Sequence, residues 1–294
     1  MRKIIFLVLL FLCAASPALA KMKVVATLQW IGSVAGDIGK DQVEITTLVK
    51  PSQDPHMIEA KPSMILAVRK ADVLMYNGLD LEIGYLPVLI ESSRNPKVQP
   101  GQPGNFDCSR FVTVIEKPVS VDRSMGDVHP LGNPHYLYSA SSIGRIAAGI
   151  AQLFVRLDPT NAPFYRTNLD AFVRRLEEKR KEWDAVPLKG KRFIAYHKFF
   201  EYLAADYGFL IVGYIEPKPG IPPSAGHIEQ LIETMQATMP DGILTTPIYG
   251  HREVEFIAEK TGVGAIVLPQ DVGATNGAGD WFSMMDQVLQ ALGR

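Results

Sequence analysis

The segment PFYRTNLDAFVRRLEEKRKEWDAV, residues 163–186, decides the architecture. Tyr165, Leu169, Phe172, Val173, Leu176 and Trp183 recur at helical spacing, and the positions between them are mostly Arg, Lys, Glu and Asp. No Gly or Pro interrupts residues 164–186. A helix of about 22 residues would run roughly 33 Å at 1.5 Å per residue. That exceeds the usual crossover helix of an α/β protein and suits a rod between two lobes.

Both sides of this rod read as strands alternating with helices. Before it, residues 23–28, 43–49, 72–76 and 111–115 have strand character, and 30–38, 62–71, 81–92 and 139–157 have helix character. Residues 94–108, rich in Pro, Gly and Asn, read as a loop. After Pro187 the alternation resumes, with strands at 192–196, 209–214, 242–245 and 265–268 and helices at 199–207, 225–239, 254–261 and 280–292. Such βα alternation implies mostly parallel sheets covered by helices. The expected fold class is therefore α/β: two α/β lobes, residues 21–158 and 187–294, joined by one long rigid helix within 159–186, with a functional site in the cleft between them.

Composition narrows the function classes. Of 294 residues 47% are hydrophobic and 21% charged, a globular balance, and the formal charge of −1 offers no polybasic surface for nucleic acid. Two cysteines cannot build a disulfide scaffold or a Cys-rich zinc module. At the start, Arg2 and Lys3 precede an unbroken apolar run from Ile4 to Ala15, then Ser16-Pro17 and the small-x-small site Ala18-Leu19-Ala20. This is the layout of a secretory signal peptide, residues 1–20, cleaved after Ala20 to release a periplasmic protein. Leu12 before Cys13 stands where a bacterial lipobox wants Gly or Ala. The mature chain keeps one cysteine, Cys108, read as a small apolar residue of the interior.

Four residues share a placement. His56 follows the second strand, His135 precedes the helix at Ser139, His197 follows the strand ending at Tyr196, and Asp271 follows the strand ending at Leu268. Parallel α/β sheets place ligands beyond the carboxyl ends of their strands, so a cleft between the lobes would gather all four. Three imidazoles and a carboxylate fill a tetrahedral shell for zinc. No H-E-x-x-H, G-x-S-x-G or Walker loop is present, and no catalytic residue is assigned. The long separations between the four do not by themselves define a site.

The words around these residues add to that reading. Asp54-Pro-His56 with Glu59-Ala-Lys-Pro-Ser63, Gly126-Asp-Val-His-Pro-Leu-Gly-Asn-Pro-His-Tyr136, Ala195-Tyr-His197-Lys-Phe-Phe-Glu-Tyr-Leu203, Glu216-Pro-Lys-Pro-Gly-Ile-Pro-Pro-Ser224, Leu268-Pro-Gln-Asp271 and Gly279-Asp-Trp-Phe-Ser-Met-Met285 span the chain. Together they resemble the metal-binding solute-binding proteins of zinc and manganese ABC transporters, the ZnuA/TroA-like cluster. The resemblance implies metal ligands His56, His135, His197 and Asp271, a cargo of Zn2+ with Mn2+ as the alternative, and capture outside the cytoplasm. It implies delivery to the membrane permease and ATPase subunits of an importer, with a periplasmic metallochaperone as a candidate donor. The protein is expected to be a monomer and not an enzyme. It departs from the cluster in lacking a long His- and acid-rich loop before the second ligand; Asp127 and His129 are what remains. After His135 it carries Leu137-Tyr-Ser-Ala where the cluster often has Trp-Leu-Asp-Pro.

Several neighbours stay open on the sequence. Asp54 either shapes the field at the cleft or caps a turn, His129 is a solvated loop residue or a transient metal contact, and Glu216 either orients a ligand imidazole or is a salt-bridged loop residue. His227 and His251 read as surface residues near helix starts, and Asp280 as the cap of the last helix. The rival functions are an exported metallohydrolase with one coordination position open to water, an organic-ligand receptor on the same scaffold, and an adhesin.

Overall fold

The computed structural model describes residues 21–118, 129–218 and 220–294. The leader expected at residues 1–20, and Asp127, lie outside them. The first lobe is built on β1 (Met22–Ala26), β2 (Val43–Thr47), β3 (Val73–Tyr76) and β4 (Asn105–Asp107) in the order β2-β1-β3-β4, all parallel. Its helices are α1 (Gln29–Gly39), α2 (Pro62–Lys70), α3 (Leu86–Ser93) and α4 (Ala140–Leu157). The second lobe repeats this topology with β5 (Arg192–Ala195), β6 (Leu210–Tyr214), β7 (Gly242–Thr245) and β8 (Ala265–Val267) in the order β6-β5-β7-β8, again all parallel. In each sheet the strand order reverses beside the central strand, β1 or β5, and the crevice beyond the carboxyl ends at that point is where open α/β sheets hold ligands.

The rod is α5 (Ala162–Asp184), 23 residues long. Its length is about 35 Å at the helical rise. Tyr165, Phe172, Leu176 and Trp183 form its buried stripe. The stripe packs against the last helix, α9 (Trp281–Leu292): Phe172 and Trp183 meet Phe282 at ring-centroid distances of 5.0 and 6.4 Å. The Trp183 indole donates to Asp286 at 2.8 Å, and the Arg175 guanidinium lies 4.0 Å over Phe282. Asp280 caps α9 in a reciprocal box with Ser283. Helix α9 follows the second lobe in sequence, yet the Trp281 amide donates to Ser33 of α1 and its indole to the Leu137 carbonyl, 3.0 and 2.8 Å. One hydrophobic core therefore runs through both lobes, from Val24 and Ile31 to Phe193 and Trp281. Parting the lobes widely would expose that shared core.

The sheet edge differs from the sequence expectation. The fourth strand is Asn105–Asp107, inside the stretch read as a loop, and residues 111–115 are not a strand. Phe106 is the buried residue of this short strand, and it stacks on Phe111 at 5.3 Å. The apolar content of 111–115 serves another surface: the Phe111 ring lies on α4 at Gly149, where any Cβ would collide with it. The third helix begins at Leu86, later than the spacing implied, with Pro87 in its first turn where proline is favoured.

Candidate metal centre

Each histidine of the cleft is oriented by a local device. Asp54 caps the short turn Pro55–Met57: its Oδ1 accepts from the His56 backbone N–H at 3.0 Å and lies 2.7 Å from His56 Nδ1. His197, two residues after β5, places Nδ1 2.6 Å from Glu216 Oε2. Glu216 follows β6, and its amide donates to the Tyr196 carbonyl at 3.0 Å, so adjacent strands fix both partners. A carboxylate accepts only, so each of these imidazoles donates from Nδ1 and turns Nε2 into the cleft. His135 is buried; its amide donates to Asn133 Oδ1 at 2.9 Å, and its ring lies 4.1 Å from that of Phe199.

The Nε2 atoms converge in pairs. His197 Nε2 is 3.3 Å from His135 Nε2, and His56 Nε2 is 3.1 Å from His129 Nε2. His56, His129 and His135 each offer a ring nitrogen within 4.8 Å of the other two. A tetrahedral zinc with bonds of 2.0–2.1 Å has nitrogen–nitrogen edges of about 3.3 Å. Both short distances match that edge.

His129 is thus not a solvated loop residue. Its ring is partly buried beside those of His56 and His135. No spacing pointed to it, because it sits in a Gly/Pro-rich loop. Asp271 stands differently. It is buried, but Oδ1 accepts from the Trp30 and Val272 amides, both at 2.8 Å, and Oδ2 from the Gln29 amide at 3.0 Å. The carboxylate sits on the amino terminus of α1, joining the last strand of one lobe to the first helix of the other. It shares a cavity of about 20 Å³ with His135, Trp30 and Gln270, room for a single water. A larger cleft of about 520 Å³ lies away from the histidines, beside Met22, and its charged groups are already paired, Lys97 with Asp72 and Asp158 with Tyr165.

The electrostatics favour a cation. Burial, followed by the neighbouring imidazoles, holds His135 well below its usual pKa and His129 at about 3. Burial also lowers His197, against the pull of Glu216. Burial works to raise the Asp54 pKa, but its bonds to His56 outweigh it and keep the carboxyl below its ordinary value. Burial lifts Asp271 to about 7 despite its three amide donors. Neutral imidazoles with anchored Nδ1 protons are the ionisation state that metal binding requires.

A family model described as ZnuA, zinc-uptake complex component A, periplasmic, matches residues 24–294. The chain belongs to the ZnuA family. Among curated relatives it is 24% identical over 288 residues to the manganese ABC transporter substrate-binding lipoprotein PsaA of Streptococcus anginosus, covering 93% of this chain and 90% of that one. It is 26% identical over 252 residues to the iron ABC transporter substrate-binding lipoprotein MtsA of Streptococcus pyogenes serotype M1, covering 83% and 77%. Two solved structures of ZnuA, the second a deletion mutant with zinc bound, each superpose with a TM-score of 0.77 over 93% of this chain and 98% and 97% of theirs, at 26% and 27% identity. ZnuA-type architecture and a role in metal ABC transport therefore belong to this chain; the metal itself is a matter for its own donor set.

Sequence reasoning missed four further residues at the centre: Tyr249, whose ring stacks on His197 at 5.4 Å, Phe199 beneath His135, Asn133, and the buried Glu82. Tyr249 and Phe199 meet their imidazoles through contacts distant in sequence, whereas Asn133 bonds the His135 amide two residues on and Glu82 supports the backbone of residues 77 and 78.

Proposed function

We propose that the protein captures one divalent transition metal, zinc, outside the cytoplasm and delivers it to the permease of an ABC importer. The ligands in this reading are His56, His135 and His197, with His129 as the fourth. The supporting observation is the pair of Nε2–Nε2 distances, 3.1 and 3.3 Å, set by two carboxylate-anchored imidazoles. Imidazole suits zinc, whereas manganese prefers more oxygen. In this reading four side chains complete the coordination shell, His197 joining the His56–His129–His135 cluster through His135, and leave no position for an activated water, which suits carriage rather than hydrolysis.

Two experiments test this. Metal-stripped protein is expected to take up one equivalent of zinc and to keep it against excess manganese; preferential manganese retention would refute the zinc reading. Because the folded-state pKa values of His135, His129 and His197 are lowered, protons compete for these nitrogens only below the usual imidazole range. Bound zinc, measured after desalting at stepped pH, is expected to be retained through the ordinary imidazole pKa of about 6.5 and to fall off only below it.

A manganese reading has one observation in its favour: Asp271 shares the small cavity with His135 and keeps acceptor capacity beyond its three amides. The fourth position decides between them. His129→Ala is expected to weaken zinc binding by more than about a hundredfold, beyond the loss of an orienting partner, with Asp271→Asn changing it less than about threefold. The opposite order, measured by chelator competition, would make Asp271 the fourth ligand.

A further inference from the structure

We infer that Tyr249 is a positioning residue that latches the two lobes across the occupied cleft and sets the rate of metal release. This rests on the proposed metal site. Tyr249 belongs to the second lobe, in the turn between β7 and α8 (His251–Thr261). Its hydroxyl donates to Asp54 Oδ2 at 3.2 Å, a residue of the first lobe. The other oxygen of the same carboxylate holds both the backbone N–H and Nδ1 of His56. Tyr249 therefore fixes the rotation of the group that aims His56. Its ring does the corresponding work in its own lobe, lying nearly parallel to His197 at 5.4 Å and 23°, and to Tyr196 at 5.1 Å and 12°. The turn is shaped for this stack, because a Cβ at Gly250 would run into the Tyr196 ring.

One side chain thus touches the supports of two metal-binding imidazoles, one from each lobe. Release of the metal requires His56 and His197 to separate, and the Tyr249–Asp54 bond spans that line of separation. Opening breaks it, and the freed carboxylate no longer holds His56 at its ligand angle. In this inference the bond holds the closed arrangement, so it slows departure of the metal and leaves its entry unchanged.

Tyr249→Phe deletes the hydroxyl and keeps the ring. A hydrogen bond to a charged group is strong enough for zinc to leave about tenfold faster without it, with the association rate unchanged. Stopped-flow release into a chelator reads the first, and uptake of zinc by stripped protein reads the second. In an Asp54→Ala background the same change is expected to have no further effect, which a merely structural role for the ring would not produce. Equal release rates for wild type and Tyr249→Phe overturn the inference, as does an undiminished effect in the Asp54→Ala background. If Asp54→Ala does not fold, the release rate of Tyr249→Phe alone decides. Failure of the wild type to retain zinc would instead refute the metal site itself.

Discussion

His197→Ala is expected to reduce zinc affinity by more than a hundredfold while the protein remains folded. Loss of an outer partner that merely orients a ligand typically costs 10- to 100-fold, so loss of the ligand costs more. The substitution removes the nitrogen 3.3 Å from His135 Nε2 and also strips Glu216 of its imidazole. Glu216 is 9% exposed, near enough to solvent for water to replace that donor, which keeps the stability cost to about 1–3 kcal/mol. Chelator competition measures the affinity, and thermal melting of the metal-free protein separates it from folding. An affinity within threefold of wild type would remove His197 from the ligand set. Glu216→Gln is the graded control, because the amide still reaches Nδ1 but no longer compels it to carry the proton.

The two routes to this site explain what the sequence disclosed. The rod was legible because a helix without Gly or Pro carries a continuous apolar stripe, and Tyr165, Phe172, Leu176 and Trp183 are that stripe in the structure. Parallel strands were legible as apolar runs between helical stretches. The edge strand β4 was not, since three residues containing one buried Phe leave no periodic signal. His56, His135 and His197 were legible as imidazoles beyond strand ends within recognisable words. His129 was half legible, as either a solvated loop residue or a metal contact, because the partner that decides it, His56, lies 73 residues away. Tyr249 meets Asp54 across 195 residues, a pairing fixed by the docking of the lobes rather than by any local pattern. Asp271 shows the converse. Its position in the sequence reads as that of a ligand, but its nearest donors are the free amides at the start of α1, and those engage both carboxylate oxygens.

Glu82→Ala is expected to destabilise the metal-free protein by about 3–5 kcal/mol, and by more at pH 5 than at pH 8. Glu82 is 1% exposed. It accepts from the Thr27 hydroxyl and the Asn77 amide, both at 2.7 Å, and from the Gly78 amide at 3.0 Å. Alanine leaves three buried donors unpaired, each costing about 1–3 kcal/mol. Those donors hold the turn in which Gly78, Leu79 and Asp80 all have positive φ, 81°, 56° and 62°. Left-handed backbone at two non-glycine residues is itself unfavourable, so the turn relaxes once Glu82 is gone. Tyr136, which bonds the Asn77 carbonyl, then loses its anchor next to His135. The pH dependence follows from the direction of the shift. Burial lifts the Glu82 pKa to about 7 against its three donors, so between its ordinary value of 4.5 and 7 the folded state binds the extra proton. The stabilising effect of Glu82 is complete below its unfolded pKa and declines as pH rises through 7. The variant lacks this group, so its deficit narrows with rising pH. Chemical denaturation of both proteins at pH 5 and pH 8 measures it, and a deficit that widens with pH would show that Glu82 is ionised at little cost and that its three bonds, rather than its burial, set its charge.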